Sequence, residues 1–360
     1  MSWTLEKILK GARSFKASDI HLVRGLSPSL RINGDIRPLE GHPLLKEDLL
    51  ELYNSIMNEK QKKFFEEHWQ ICFSEYTEGI GRYRVSVYYH SGVPEFSIRL
   101  CESDVRTKDE LGLPPVIDEL TRIPSGLILV TGPTGMGKTT TLNYMIHSIN
   151  QQRRAKIVTI EDPVEYTHDN IRSIIIQQEV LGDVLNFQSA LRHVLRQDPD
   201  VIVIGEMRDL ETIETALIAA ETGHLVIATL HTPDSVQTIQ RIYSVFPAEQ
   251  QNSITVQLAN SIQAIISQKL LPHATGSERL LACEVCIATS AIRNHIRERQ
   301  VHHIYSEIQT GRKFQMKTMD QILMELYQSG DITYDVAISN AREPKAIMSA
   351  SATSSAGEFH

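Results

Sequence analysis

The sequence predicts an α/β protein with a small mixed domain at its amino end and a larger domain built on a parallel sheet. Three observations lead there. The 360 residues exceed one ordinary domain, and each of two domains can bury its own core. From about residue 112 onward, apolar runs of strand length alternate with stretches of helical periodicity, the pattern of a parallel sheet covered by helices. The first of those runs, residues 127–130, leads directly into Gly132-Pro133-Thr134-Gly135-Met136-Gly137-Lys138-Thr139, which has the spacing of a phosphate-binding loop set between a strand and a helix.

Residues 1–105 read as the smaller domain. Leu5, Ile8 and Leu9 suggest an opening helix, Asn33-Gly34 suggests a hairpin turn, and Leu45, Leu49, Leu52, Tyr53 and Ile56 fall at helical spacing. Residues 83–89 and 96–100 alternate as strands. Their apolar side chains share one face, which leaves Arg84 and Arg99 together on the other, with Arg82 in step with Arg84. Polar residues 102–110 and Leu113-Pro114-Pro115 read as a linker, placed at 106–115.

The larger domain is expected over residues 116–345. Apolar strands are predicted at 127–130, 157–160, 201–204 and 225–230. Between them, Leu142/Met145/Ile146/Ile149, Phe187/Ala190/Leu191/Val194 and Ile213/Ala216/Leu217/Ala220 mark helices. Asp209 suits an N-cap and Gly223 a C′ residue for the last of these. Residues 346–360 are small and polar without periodicity, and are expected to form a disordered tail.

Composition restricts the function. A formal net charge of −8 argues against a surface that coats nucleic acid, and no nucleic-acid partner is expected. No apolar run approaches the roughly 20 residues that span a bilayer, and the first residues lack the apolar segment of a secretion signal, so a cytoplasmic chain is expected. Of four cysteines, only Cys283 and Cys286 have metal-like spacing. One such pair supplies two ligands, and in an apolar strand it reads as buried thiols.

The glycines of residues 132–137 allow a tight turn whose N–H groups point inward at phosphates, and the following helix adds the positive end of its dipole. ATP is therefore the expected ligand of Gly132, Pro133, Thr134, Gly135, Met136, Gly137, Lys138, Thr139 and Thr140. Lys138 would reach the β- and γ-phosphates, and the Thr139 hydroxyl would bind Mg²⁺.

In an open parallel sheet ligands gather at the carboxyl ends of strands, so the residues after each apolar run are the next candidates. They are Glu161, Glu206 and His231. A carboxylate there can orient or deprotonate the attacking water, and Glu206 is the first choice. Gly205 stands where many NTPases carry a Mg²⁺-directed Asp, which leaves Thr139 and Glu161, the latter through water, as the residues expected to hold the ion. His231 could contact the γ-phosphate, whereas His224 precedes the same strand, about 20 Å away at strand rise. Arg82, Arg84 and Arg99 could stabilise transition-state charge on a nucleotide held by an adjacent subunit.

Residues 291–298, 308–311 and 319–321 resemble the pilus-retracting branch of the secretion-superfamily ATPases in particular, and four further segments resemble that superfamily as a whole. Those four are the phosphate loop, Thr159-Ile160-Glu161-Asp162-Pro163-Val164-Glu165, Gly205-Glu206-Met207-Arg208-Asp209, and residues 222–232, and the likeness extends from Ala17 to about Ala341. The resemblance implies a PAS-like amino-terminal domain, a RecA-like P-loop NTPase domain and a homo-hexameric ring with ATP between protomers. It also implies a motor that retracts type IV pili in twitching motility through an inner-membrane platform protein, meeting the membrane only through partners. In that likeness Lys138 and Thr139 hold phosphate and Mg²⁺, Glu206 is the catalytic carboxylate with Glu161 as its acidic partner, and His224 and His231 form a histidine pair. Arg82, Arg84 and Arg99 act in trans, and Arg293, Asn294 and Arg297 serve retraction rather than hydrolysis. His295 departs from the leucine usual in the helix expected over residues 291–298. The extension ATPases generally carry an extra amino-terminal region and a four-cysteine zinc motif that this sequence lacks, so retraction is expected over extension, type II secretion or DNA transfer. A low-turnover nucleotide switch or scaffold is the reading of a different class.

Overall fold

The computed structural model describes residues 3–32, 34–101, 105–276, 278–345 and 347–348. Asn33 of the expected hairpin, residues 102–104 of the polar stretch and all but two residues of the expected tail lie outside them. The chain divides into two compact units, Met1–Val105 with Glu161–Asp169 and Gln177–Asn186, and Arg106–Ile160 with Asn170–Ile176 and Phe187–His360.

In the first unit the order is α1 (Leu5–Ser14), β1 (Asp19–Leu22), β2 (Ser29–Ile32), β3 (Asp35–Pro38), α2 (Lys46–Ile56), α3 (Glu59–His68), β4 (Gln70–Thr77), β5 (Gly81–His90) and β6 (Val93–Leu100). The strands form one antiparallel sheet, ordered β3-β2-β1-β6-β5-β4. Tyr83, Val85 and Val87 of β5 are buried with Phe96 and Ile98 of β6, against Ile8 and Leu9 of α1, Leu49 of α2 and Phe65 of α3. That burial fixes register, because a slip of one residue would send the apolar set to the other face. Arg84 and Arg99 stand directly opposite one another on the other face of the sheet.

The second unit opens with α4 (Lys108–Leu111) and α5 (Val116–Leu120). It continues with β7 (Gly126–Thr131), α6 (Lys138–Gln152), β8 (Lys156–Glu161), β9 (Ile174–Glu179), α7 (Phe187–Val194), β10 (Val201–Ile204), α8 (Leu210–Glu221), β11 (Leu225–Leu230) and α9 (Ser235–Ser244). Then come α10 (Ala248–Ser261), β12 (Ile262–Pro272), β13 (Arg279–Ile287), α11 (Ser290–Arg297), α12 (Ile304–Thr310), α13 (Met319–Gln328) and α14 (Tyr334–Asn340). The seven strands are ordered β13-β12-β7-β11-β10-β8-β9, and β12, β7, β11, β10 and β8 run parallel. Every residue of β7, β10 and β11 is buried, as a strand covered on both faces requires. Leu142, Met145, Ile146 and Ile149 seat α6 on this sheet, each burial contributing about 1.5–3 kcal/mol. Asp209 caps α8 by accepting from the Thr212 N–H at 2.9 Å, and Gly223 ends it at φ +106°.

The four cysteines are free thiols. Burial, then the Glu165 charge, pushes Cys101 up to about 11, and burial, then Glu284, pushes Cys283 up to about 12. Cys286 is raised by the same two causes. Cys72 alone is partly exposed. A thiol-disulfide reagent at pH 8 is therefore expected to titrate one thiol rapidly in the native protein and all four in denaturant. A second fast native thiol would contradict the burial assigned to the others.

Candidate nucleotide site

Register places the site. β7 and β11 pair residue for residue up to Thr131↔Leu230, so Gly132 and His231 leave the sheet side by side. β10 pairs with β11 up to Ile204↔Ala228, and the turn after it is tied back by the Met207 N–H donating to Thr229 O at 3.0 Å and by the Thr229 hydroxyl donating to Gly205 O. Glu206 is thereby held beside the end of β11.

The loop after β7 needs its glycines. Gly132 has φ +141°, and a Cβ there would fall 2.5 Å from Gln268 O of β12. Gly135 and Gly137 have φ near +80°, at +80° and +82°. Pro133, Thr134 and Gly135 are exposed, while the Met136 thioether accepts from the Leu270 N–H at 3.2 Å and pins the loop to β12. The first ladder bond of α6 runs from the Thr141 N–H to Gly137 O at 3.0 Å, so the N–H groups of Lys138, Thr139 and Thr140 precede the helix's own ladder. Donors at a helix start, glycine-only backbone and a buried ammonium form a donor set that fits phosphate oxygens.

Lys138 is buried, and its Nζ donates to Gly132 O at 2.7 Å, to Pro133 O at 3.0 Å and to His231 Nδ1 at 3.3 Å. Burial pulls its pKa below the ordinary lysine range, and the Glu206 charge opposes that shift. His231 Nε2–H donates to Glu206 Oε2 at 3.1 Å, and Arg208 reaches Glu206 Oε1 at 2.5 Å. Lys138, His231 and Glu206 thus form one hydrogen-bonded series across three strand ends. With Lys138 donating to Nδ1, the imidazole carries its proton on Nε2 and orients the carboxylate.

Glu161, His224 and the three arginines engage other partners. Glu161 is the last residue of β8 and accepts from Gln177 Nε2 at 3.1 Å within the first unit. His224 lies at the amino end of β11, its Nδ1 3.0 Å from Ala219 O, at the opposite strand end from His231. Arg82 is held by Glu179 at 3.4 Å, by Ser74 Oγ and by Val164 O at 3.0 Å. Arg99 pairs with Asp19 at 2.8 Å. Arg84 donates to Cys72 Sγ at 2.9 Å and lies 3.9 Å from Glu165.

Arg293 donates to Ala259 O and Asn260 O, each at 2.8 Å, to Gln263 Oε1 at 3.0 Å and to Ala288 O at 3.0 Å, which caps the carboxyl end of α10. Asn294 is exposed, and Arg297 reaches Asn260 Oδ1 at 3.1 Å. Sequence reasoning missed Arg208, Glu179 and this capping role. Arg208 was legible two residues after Glu206, whereas no local signal marks Glu179.

A protein-family model described as type II/IV secretion system protein matches residues 100–357. The chain is 44% identical over 329 residues to the type IV pilus retraction ATPase PilT of Pseudomonas aeruginosa, covering 91% of this chain and 95% of that protein. It is 40% identical over 321 residues to a twitching motility protein of Neisseria gonorrhoeae, covering 89% and 86%. A crystal structure of the pilus retraction motor PilT with bound ADP superimposes with a TM-score of 0.90 at 44% identity, covering 96% of this chain and 99% of that one. The phosphate loop, the series at the strand ends and these likenesses converge, and the chain belongs to the type II/IV secretion system protein family.

Proposed function

We propose that the chain is an ATPase motor that hydrolyses Mg·ATP to power type IV pilus retraction. The observation that carries the chemistry is the series from Lys138 through His231 to Glu206, set at the carboxyl ends of three parallel strands. The pilus assignment rests on the likeness to PilT over nearly the whole length of both chains.

The loop N–H groups and Lys138 bind and orient the triphosphate. Glu206 orients the attacking water and accepts its proton, and His231 and Arg208 hold the carboxylate for that task. Thr139 would hold Mg²⁺, which when bound would neutralise charge on the β- and γ-phosphates. A homo-hexamer with nucleotide between protomers would let Arg82, Arg84 or Arg99 act in trans. Arg82 would first have to leave Glu179, whereas Arg99 is 63% exposed and its partner is a single carboxylate. No helix among the described residues is long and apolar enough to cross a membrane, and the proposed place of work is the cytoplasmic face of the inner membrane, against a platform protein.

The test is to label surface pili in cells lacking the gene. Pili that extend but no longer retract, restored by the wild type and not by Lys138→Ala, are expected; normal retraction in the deletion strain would defeat the proposal. Arg293→Ala is expected to keep ATP turnover within about threefold while stopping retraction. Because four acceptors lose their donor, it should also cost about 1–3 kcal/mol of stability, read from denaturant unfolding. A collapse of turnover in folded protein would show that Arg293 serves the nucleotide site.

A further inference from the structure

Glu284 is a buried carboxyl with no place in the chemistry above. It lies on β13 and is paired in register with Ser267 of β12, whose hydroxyl accepts from Thr131 Oγ1 at 2.9 Å just before the phosphate loop. Its two oxygens serve two different helices. Oε1 accepts from the Ser235 N–H at 3.1 Å and the Ser235 hydroxyl at 2.7 Å, at the first residue of α9. Oε2 accepts from the Met319 N–H at 3.2 Å, at the first residue of α13.

Burial of an isolated carboxyl is costly, and burial pushes the Glu284 pKa upward while these donors pull it down. Only Thr232, Pro233 and Asp234 separate the anchored Ser235 from His231, the residue between Lys138 and Glu206. The same turn is tightened by Asp234 accepting from the Gln237 N–H at 2.7 Å and by Thr232 and Thr238, whose hydroxyls are 2.6 Å apart. An anchored α9 fixes the far end of that short loop, and the loop sets where the imidazole stands.

We propose that Glu284 is a positioning residue for hydrolysis, holding the His231 loop through Ser235 and joining it through Met319 to the carboxyl-terminal helices. The inference rests on the reading of this site as one that hydrolyses ATP. It makes the start of α13 a lever on the γ-phosphate side of the site, because release of either helix leaves one Glu284 oxygen unpaired.

Glutamine at 284 keeps the shape but has one acceptor oxygen, so its NH₂ must face either the Ser235 or the Met319 N–H. Steady-state ATP turnover of the full-length protein is the readout, with Lys138→Ala as background. Glu284→Gln is expected to lower kcat about tenfold with KM for ATP within about twofold, since Lys138 and the phosphate loop are untouched. In a His231→Ala background the same change should cost less than about twofold, because the residue it positions is gone. Should Glu284→Gln fail to fold, Ser235→Ala removes one donor and carries the same comparison, with an expected two- to threefold loss of kcat that vanishes without His231. Equal losses with and without His231, or an unchanged kcat in folded protein, would overturn the proposal. A wild type no faster than Lys138→Ala would instead remove the hydrolysis reading, and this one with it.

Discussion

Lys138→Ala is expected to weaken Mg·ATP binding at least about 100-fold, which titration calorimetry measures directly. The ammonium is folded into the loop, where Gly132 O, Pro133 O and His231 Nδ1 surround it. Alanine removes the charge that meets the phosphates and leaves those three acceptors without their donor. Binding within threefold of wild type would mean that the backbone cradle alone holds the nucleotide, and that Lys138 is a structural lysine.

Glu206→Gln should separate binding from chemistry. The side chain keeps its shape, but it can no longer take a proton, and its NH₂ must face His231 or Arg208. Loss of kcat by about 10²–10³-fold is expected, with Mg·ATP affinity within about threefold. Unchanged kcat would move the general base to another group. Loss of affinity by the same factor as kcat would make Glu206 a binding residue.

The parts of this molecule that were legible in its sequence are those whose determinants are local. A strand, a glycine turn and a helix with an i, i+3, i+4, i+7 stripe follow one another at the phosphate loop, and the structure forms β7, the turn and α6 there. Asp209 and Gly223 bracket α8 because capping depends on residues three apart. Lys138 and His231 were legible as neighbours despite a separation of 93 residues, since strand ends in a parallel sheet collect at one edge.

Other features depend on contacts that no local pattern announces. Arg82 meets Glu179 across 97 residues, between two side chains whose neighbours are unremarkable. β4 was missed because only Ile71 and Phe73 of its eight residues are buried, too short an alternation to stand out. Arg293 reads in sequence as a surface arginine on an amphipathic helix, whereas its guanidinium closes the end of α10, 33 and 34 residues earlier. Segments 161–169 and 177–186 group with the first unit although β8 and β9 belong to the larger sheet, an arrangement set by tertiary packing.

Phosphate release from Mg·ATP by the purified full-length protein, measured at steady state beside Lys138→Ala, tests the central claim most directly. A saturable rate far above that variant is expected. A wild-type rate equal to it, in folded protein and at millimolar Mg·ATP, would contradict the assignment of the Lys138, His231 and Glu206 series to ATP hydrolysis.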